Sequence, residues 1–231
     1  MKKIMTEYTF ENFIKGRSNE TARRRIYEAA LSPKGGPVSP VLVYGGAGVG
    51  KTHLLNAFIN EYTRINAGAS VLYLSAEEYV TELLESIKGS RTAEFRERMT
   101  SYDALVIDDL HCIYCKHTTQ YEIFMLVDAY CNMGKPALLS AGTVLSGLDE
   151  LVRCLRGKHP DARFVKIRKP GRKLKCRFAA REAEMLGLDA SSGAVLRYVH
   201  SFGSEFNSIR GGLNKLSLIE DMKRKNNGCE A

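Results

Sequence analysis

The sequence predicts an α/β fold built on a parallel sheet, followed by a small all-helical appendage. Three observations carry that expectation. Between residues 41 and 167, short apolar runs alternate with longer stretches whose apolar residues recur at helical spacing. After Pro170 the strand-like runs stop and only helical patterns remain. A glycine-rich segment at 45–52 separates the first apolar run from the first helical one, where an α/β unit places its strand-to-helix turn.

Val41, Leu42, Val43 and Tyr44 form a compact apolar run that ends in glycines and predicts the first strand. In 51–65, Leu54, Leu55, Phe58, Ile59, Tyr62 and Ile65 repeat as one face of a helix. Residues 70–74 (SVLYL) predict a second strand, and 76–87 and 92–99 predict helices. A third strand at 104–107 runs directly into two aspartates. A helix at 119–131, a fourth strand at 137–139 and a fifth at 163–167 (RFVKI) complete the α/β part. Beyond it, 174–185, 192–202 and 207–223 predict helices, the last with Ile209, Leu213, Leu216 and Ile219 on one face. The boundary falls at Lys169, Pro170 and Gly171, giving a core of 1–169 and a helical lid of 170–231. The tail, KRKNNGCEA, is expected to fray.

Composition narrows the function classes. With 231 residues and 44% hydrophobic content, the chain can bury a substantial core, which excludes disorder as its main state. Tryptophan is absent, which weakens a carbohydrate-platform reading. No apolar run approaches the length needed to cross a bilayer, and the opening MKKIMTEYTF lacks the apolar stretch of a secretory signal. Six scattered cysteines then read as reduced thiols, and the expected location is cytoplasmic, with no membrane partner.

Charge is uneven along the chain. The net charge is +8, yet residues 1–150 carry 16 Lys and Arg against 18 Asp and Glu. Between Arg153 and Arg181 lie twelve bases and a single acid, Asp161. That segment suggests a polyanionic partner, with DNA the obvious candidate, although a solvated basic face is the plain alternative.

The glycine-rich segment carries the chemistry. Gly45, Gly46, Ala47, Gly48, Val49, Gly50, Lys51 and Thr52 fit the phosphate-loop pattern G-x-x-x-x-G-K-[ST], with a strand before and an amphipathic helix after. Glycines let backbone N–H groups turn inward around phosphate oxygens, and the helix N-terminus adds its positive end. Lys51 would reach the outer phosphates of ATP or ADP, and Thr52 would hold Mg2+ through its hydroxyl. The strand at 104–107 delivers the acidic partner: Asp108 would anchor Mg2+, and Asp109 could orient or deprotonate an attacking water.

With these motifs in place, the chain resembles the AAA+ domain of the bacterial chromosomal replication initiator family (DnaA) and its shortened, Hda-like relatives. The resemblance runs from about Tyr8 to Leu216. The opening from Tyr8 to Asn19 (YTFENFIKGRSN) is similar to the family's start, which packs around the adenine, and this implies that Phe13, Ile14 and Gly16 lie near the base. The loop continues as GKTHLLNA, close to the family's GKTHL run, so His53 is counted with the nucleotide site. The stretch RTAEFRERMTSYDALVIDD, beginning at Arg91, resembles the initiator-specific helical insertion followed by the acidic strand. In the family that insertion allows a spiral oligomer that holds single-stranded DNA, which points to Lys88 and Arg91 on a DNA path. Lys116 and Thr119 match two residues of the family's Lys-Glu-Arg-Thr-Gln segment that contacts single-stranded DNA, whereas the arginine is Thr118 here.

Other departures concern turnover. The family's Ser-Asp pair after the fourth strand appears as Ala141-Gly142, so a polar γ-phosphate sensor is missing. The segment that supplies an arginine to a neighbouring subunit is only loosely echoed by Val152, Arg153, Cys154, Leu155 and Arg156. In the lid the sensor arginine's place is taken by Asn207, with Arg210 on nearly the same helix face as a substitute. Nothing after Leu216 resembles the family's duplex-reading helix-turn-helix domain, no N-terminal helicase-contacting domain is expected, and the start carries no sliding-clamp peptide.

His111, Cys112, Cys115 and His117 are metal-ligand types at close spacing, but they fit no common zinc pattern. Tyr121, Phe124, Met125 and Tyr130 are expected in the core, and Arg23, Arg24 and Arg25 on a solvated helix face. The expected function is an ATP-binding switch that assembles head to tail and engages single-stranded DNA or an initiator partner. A neighbour's Arg153, Arg156 or Arg163 would complete the site. The alternative is a regulatory adaptor that binds nucleotide without hydrolysis or DNA binding and caps an initiator filament. A small-molecule kinase shares the phosphate loop but conflicts with the helical lid.

Overall fold

A computed structural model describes residues 2–32, 35–189 and 205–227. The elements run α1 (Glu20–Ala30), β1 (Val41–Gly45), α2 (Lys51–Ile65), β2 (Val71–Ser75), α3 (Ala76–Lys88), α4 (Thr92–Thr100) and β3 (Ala104–Asp108). A 3-10 turn (Leu110–Ile113) leads to α5 (His117–Asn132), β4 (Ala137–Ala141), α6 (Asp149–Lys158), β5 (Arg163–Ile167), α7 (Arg172–Met185) and α8 (Phe206–Asn227).

The five strands pair in the order β2-β3-β4-β1-β5, every pair parallel. Alternate residues of each strand serve opposite faces, as the period of two requires. Val41, Val43, Tyr73, Val106 and Val165 meet Ile26 of α1 and Leu54, Leu55, Phe58 and Tyr62 of α2. Leu42, Leu72, Leu105, Ile107 and Leu139 meet α3 to α6 through Leu83, Met99, Ile123, Tyr130 and Leu151. Both faces being covered explains why the strands read as nearly unbroken apolar runs. A separate cluster joins α7 and α8 through Phe178, Ala183, Ile209 and Leu213, with Ile14 packed against it.

The site follows from this topology. The helix after β1 covers one face, whereas those after β2, β3 and β4 cover the other, so the winding reverses between β1 and β4. Open α/β sheets leave a crevice at the carboxyl ends of the strands where that reversal occurs. The glycine-rich turn after β1 and the aspartates at the end of β3 both lie at those ends.

Every strand expected from the sequence is present, with ends shifted by one or two residues for β1 to β4. Helix α6 was not expected as an element, and α1 was expected only as the helix bearing Arg23, Arg24 and Arg25, without bounds. The inward positions of α1 are Ala22, Ile26 and Ala30, and alanine gives little periodic signal. The expected helix at 192–202 lies outside the described residues. Helix α8 runs to Asn227, five residues into the tail expected to fray, and no glycine or proline lies between Gly212 and Gly228. The core expectation needs correction on α5. Phe124 and Tyr130 are buried, but Tyr121 and Met125 are each 46% exposed, because Ile123 and Val127 take the inward face. Among the described residues no helix is long and apolar enough to cross a membrane.

Candidate functional site

Strand β1 ends at Gly45, whose N–H donates to Gly142 O at 2.9 Å and ties the loop to the end of β4. A Cβ at Gly45 would lie 2.5 Å from the Ile167 carbonyl oxygen, so glycine alone fits. Gly50 precedes α2 with φ +100°, a conformation that disfavours any L side chain, and a Cβ there would meet the Phe13 ring at 3.0 Å. Gly50→Ala is therefore expected to lower stability by about 1–3 kcal/mol and to displace Phe13; urea denaturation with and without nucleotide checks this.

Lys51 is the first residue of α2, and its Nζ donates to the carbonyl oxygens of Gly45 and Gly46, both at 2.9 Å. Burial lowers its pKa, partly offset by the charges of Asp109 and Asp108. Thr52 Oγ1 donates to Asp108 Oδ2 at 3.0 Å. Asp108 is completely buried. Its Oδ2 also accepts from Lys2 Nζ at 2.9 Å and Tyr73 OH at 3.3 Å, and its Oδ1 accepts from the Ser140 hydroxyl and the Asp109 N–H. Burial pushes the Asp108 carboxyl up, but the hydrogen bonds from Ser140, Lys2 and Thr52 outweigh it and hold the group below its ordinary value. Burial likewise opposes the charge on Lys2, yet Asp108 and Asp109 hold that ammonium well above the usual lysine range.

Asp109 adopts the left-handed conformation, φ +61°, as the chain breaks from β3 into the 3-10 turn. Its N–H is fixed by Ser140 Oγ at 3.0 Å, which turns the side chain toward the crevice. Ser140, Tyr73 and Lys2 were not singled out from the sequence. A serine inside an apolar strand run and a lysine near the chain start carry no local motif.

A cavity of about 520 Å³ lies beside the loop. Ala47, Gly48, Gly50, Lys51, Thr52, His53 and Asp109 form its floor, with Phe13 and Ile14 at one end. His53 stacks on Tyr8 at 4.5 Å and meets Phe13 edge-on at 5.1 Å, and its Nε2 lies 3.0 Å from Thr9 O. Burial lowers the His53 pKa and favours a neutral ring. Helices α7 and α8 supply the roof through Phe178, Arg181, Glu182, Phe206, Asn207 and Arg210. The Phe206 N–H donates to Gly48 O at 3.1 Å, so the start of α8 closes directly on the loop.

Not every expected residue reaches this cavity. Gly16 packs against Leu174, and Val49 is buried beneath the loop among Phe13 and Leu54. Arg210 does line the cavity, but both its Nε and its terminal nitrogen donate to Glu182, each at 2.7 Å, and it lies over the Phe178 ring. Glu182 is only 7% exposed, and this twofold pairing raises the Arg210 pKa. The absence of a side chain at Gly142 has a local cause: a Cβ there would lie 2.8 Å from the Tyr114 hydroxyl, which donates to Val144 O.

The expected DNA residues lie apart from the cavity. Lys88 ends α3 and Arg91 precedes α4, both exposed; Lys116 is exposed at the start of α5, with Thr119 half-buried in its first turn. In the basic segment Arg153 pairs with Glu150 at 2.6 Å, Arg156 covers the Phe164 ring, and Arg163 is exposed at the start of β5. Among the described residues no three His, Cys, Asp or Glu side chains gather as a metal-binding group.

Comparison with known proteins agrees with this geometry. Residues 4–160 match the family described as the bacterial DnaA ATPase domain. The chromosomal replication initiator protein DnaA of Gluconobacter oxydans is 31% identical over 215 residues, covering 93% of this chain and 45% of that protein. The chain thus spans about half the length of the curated relatives it matches. Domain III of the Thermotoga maritima replication initiation protein DnaA superposes with a TM-score of 0.86 at 26% identity, covering 97% of this chain and 93% of that one. A replication initiator DnaA bound to AMPPCP and single-stranded DNA superposes with a TM-score of 0.82 at 27% identity, covering 98% of this chain and 70% of that one.

Proposed function

Because the chain belongs to the bacterial DnaA ATPase-domain family, we propose that it is an AAA+ module that binds Mg-ATP in the cavity beneath α7 and α8, assembles head to tail, and engages single-stranded DNA or an initiator partner. The observation that carries this reading is the convergence of the phosphate loop, Asp109, Thr52 with Asp108 hydrogen-bonded behind it, and the roof of α7 and α8 on one 520 Å³ cavity. We divide the chain into a nucleotide-binding core of 1–169 and a helical lid of 170–231.

Tyr8, Phe13 and Ile14 would hold the base, with His53 fixed between Tyr8 and Phe13. The loop N–H groups and Lys51 would hold the phosphates. Lys51 exchanges two neutral carbonyl partners for phosphate oxygens, which form stronger, charge-assisted bonds. Thr52 and Asp108 are hard oxygen donors and fit Mg2+, which when bound neutralises phosphate charge. Asp109, fixed through its backbone, would orient a water toward the outer phosphate.

A second reading, the nucleotide-binding adaptor, is favoured by one observation: Arg210 is held by Glu182, and Gly142 offers no side chain for sensing a γ-phosphate. Fluorescence anisotropy with a labelled thymidine oligonucleotide across a salt series separates the two. The initiator-like reading expects Mg-ATP-dependent binding whose logarithm falls linearly with log salt. It also expects Lys116→Ala to reduce that slope by about 0.7, the contribution of one phosphate contact in a single strand. Nucleotide binding with no oligonucleotide binding at any salt concentration, with or without Mg-ATP, would transfer the assignment to the adaptor.

A further inference from the structure

We propose that Lys2 is a built-in cation of the acidic pair, placed where a divalent ion would neutralise Asp108 and Asp109, and that it withdraws when that ion enters. The inference deepens the nucleotide-site reading and rests on it. Lys2 Nζ lies 2.9 Å from Asp108 Oδ2 and 3.1 Å from Asp109 Oδ2, bridging the carboxylate that ends β3 and the one that follows it.

Asp108 already accepts from Thr52, Tyr73, Ser140, Lys2 and the Asp109 N–H, more donors than its four lone-pair sites favour. An entering ion with its water shell must displace a donor. Thr52, Tyr73 and Ser140 are fixed on α2, β2 and β4, whereas Lys2 reaches in on a flexible stem and is 28% exposed. Lys2 also brings a like charge that opposes a second cation. It is therefore the group that yields.

The segment carrying Lys2 is anchored to the same cavity. The Lys2 N–H donates to Tyr73 O at 3.0 Å, the Met5 N–H to Asn56 Oδ1 at 2.8 Å, and Asn60 Nδ2 to Tyr8 O at 2.7 Å. Asn56 and Asn60 both belong to α2, the helix that opens with Lys51 and Thr52. Met5, Glu7 and Tyr8 line the cavity, and Tyr8 stacks on His53.

The test compares the full chain with Lys2→Gln and Lys2→Arg. Mn2+ binding without nucleotide is read by electron paramagnetic resonance, and the Mg2+ concentration for half-maximal ATP binding by calorimetry. Lys2→Gln should bind Mn2+ about tenfold more tightly and need about tenfold less Mg2+, the size expected for removing one close positive charge at a partly solvated site. Lys2→Arg, which keeps the charge, should stay near wild type. Equal or weaker Mn2+ binding by Lys2→Gln overturns the inference, as does an Lys2→Arg that behaves like Lys2→Gln. The nucleotide-site reading fails separately, if wild type binds no ATP at saturating Mg2+.

Discussion

Asp108→Ala should lose Mg2+-dependent nucleotide binding and about 3 kcal/mol of stability together. The carboxylate is fully buried and accepts from Lys2, Thr52, Tyr73 and Ser140, so truncation leaves several donors without their shared acceptor. An unsatisfied buried donor costs about 1–3 kcal/mol, and water entering the small cavity recovers part of the total. Asp108→Asn keeps the shape and should cost less stability while still losing Mg2+ dependence. Denaturant titration gives the first quantity and calorimetry with and without Mg2+ the second. The pH dependence has a definite sign. Because the folded-state pKa is depressed, the group's stabilisation is present above the ordinary carboxylate value and is lost as pH falls through it toward the folded value. Asp108→Ala should therefore flatten the acid limb of the stability profile.

Lys51→Ala should behave differently. Among the described residues the ammonium donates only to the Gly45 and Gly46 carbonyls, and its burial works against its charge, so stability should change by less than about 1 kcal/mol. Affinity for ATP should fall at least about 100-fold, because charge-assisted contacts to phosphate are lost. Thermal melting and ATP calorimetry on one preparation separate the two effects. A large stability loss would mean that the lysine mainly ties the loop together.

Much of this architecture was legible in the sequence because the signals are local. Strands buried on both faces read as apolar runs, and the loop between β1 and α2 has a spacing that backbone geometry imposes: Gly45 admits no Cβ beside Ile167, and Gly50 takes a positive φ. The acidic strand was equally clear, since apolar residues lead straight into Asp108 and Asp109. Nonlocal features were harder to read. Lys2 and Ser140 reach Asp108 across separations of 106 and 32 residues, and no window of sequence joins them. The Arg210–Glu182 pair links α7 and α8, so the substitute arginine could be located from its helix face but its partner could not. Gly142 looked like a lost sensor; the structure adds that Tyr114 fills the space a side chain would need. On α5 the helical spacing of Tyr121, Phe124, Met125 and Tyr130 suggested a core face, but Ile123 and Val127 take the inward face and leave Tyr121 and Met125 outward.

The central claim, that the cavity between loop and lid is an Mg-ATP site, is tested most directly by calorimetric titration of the purified protein with ATP in the presence of Mg2+. The account predicts one-to-one binding that is lost in Lys51→Ala and weakened when Mg2+ is chelated. A folded wild-type protein that takes up no ATP at millimolar concentration would contradict it.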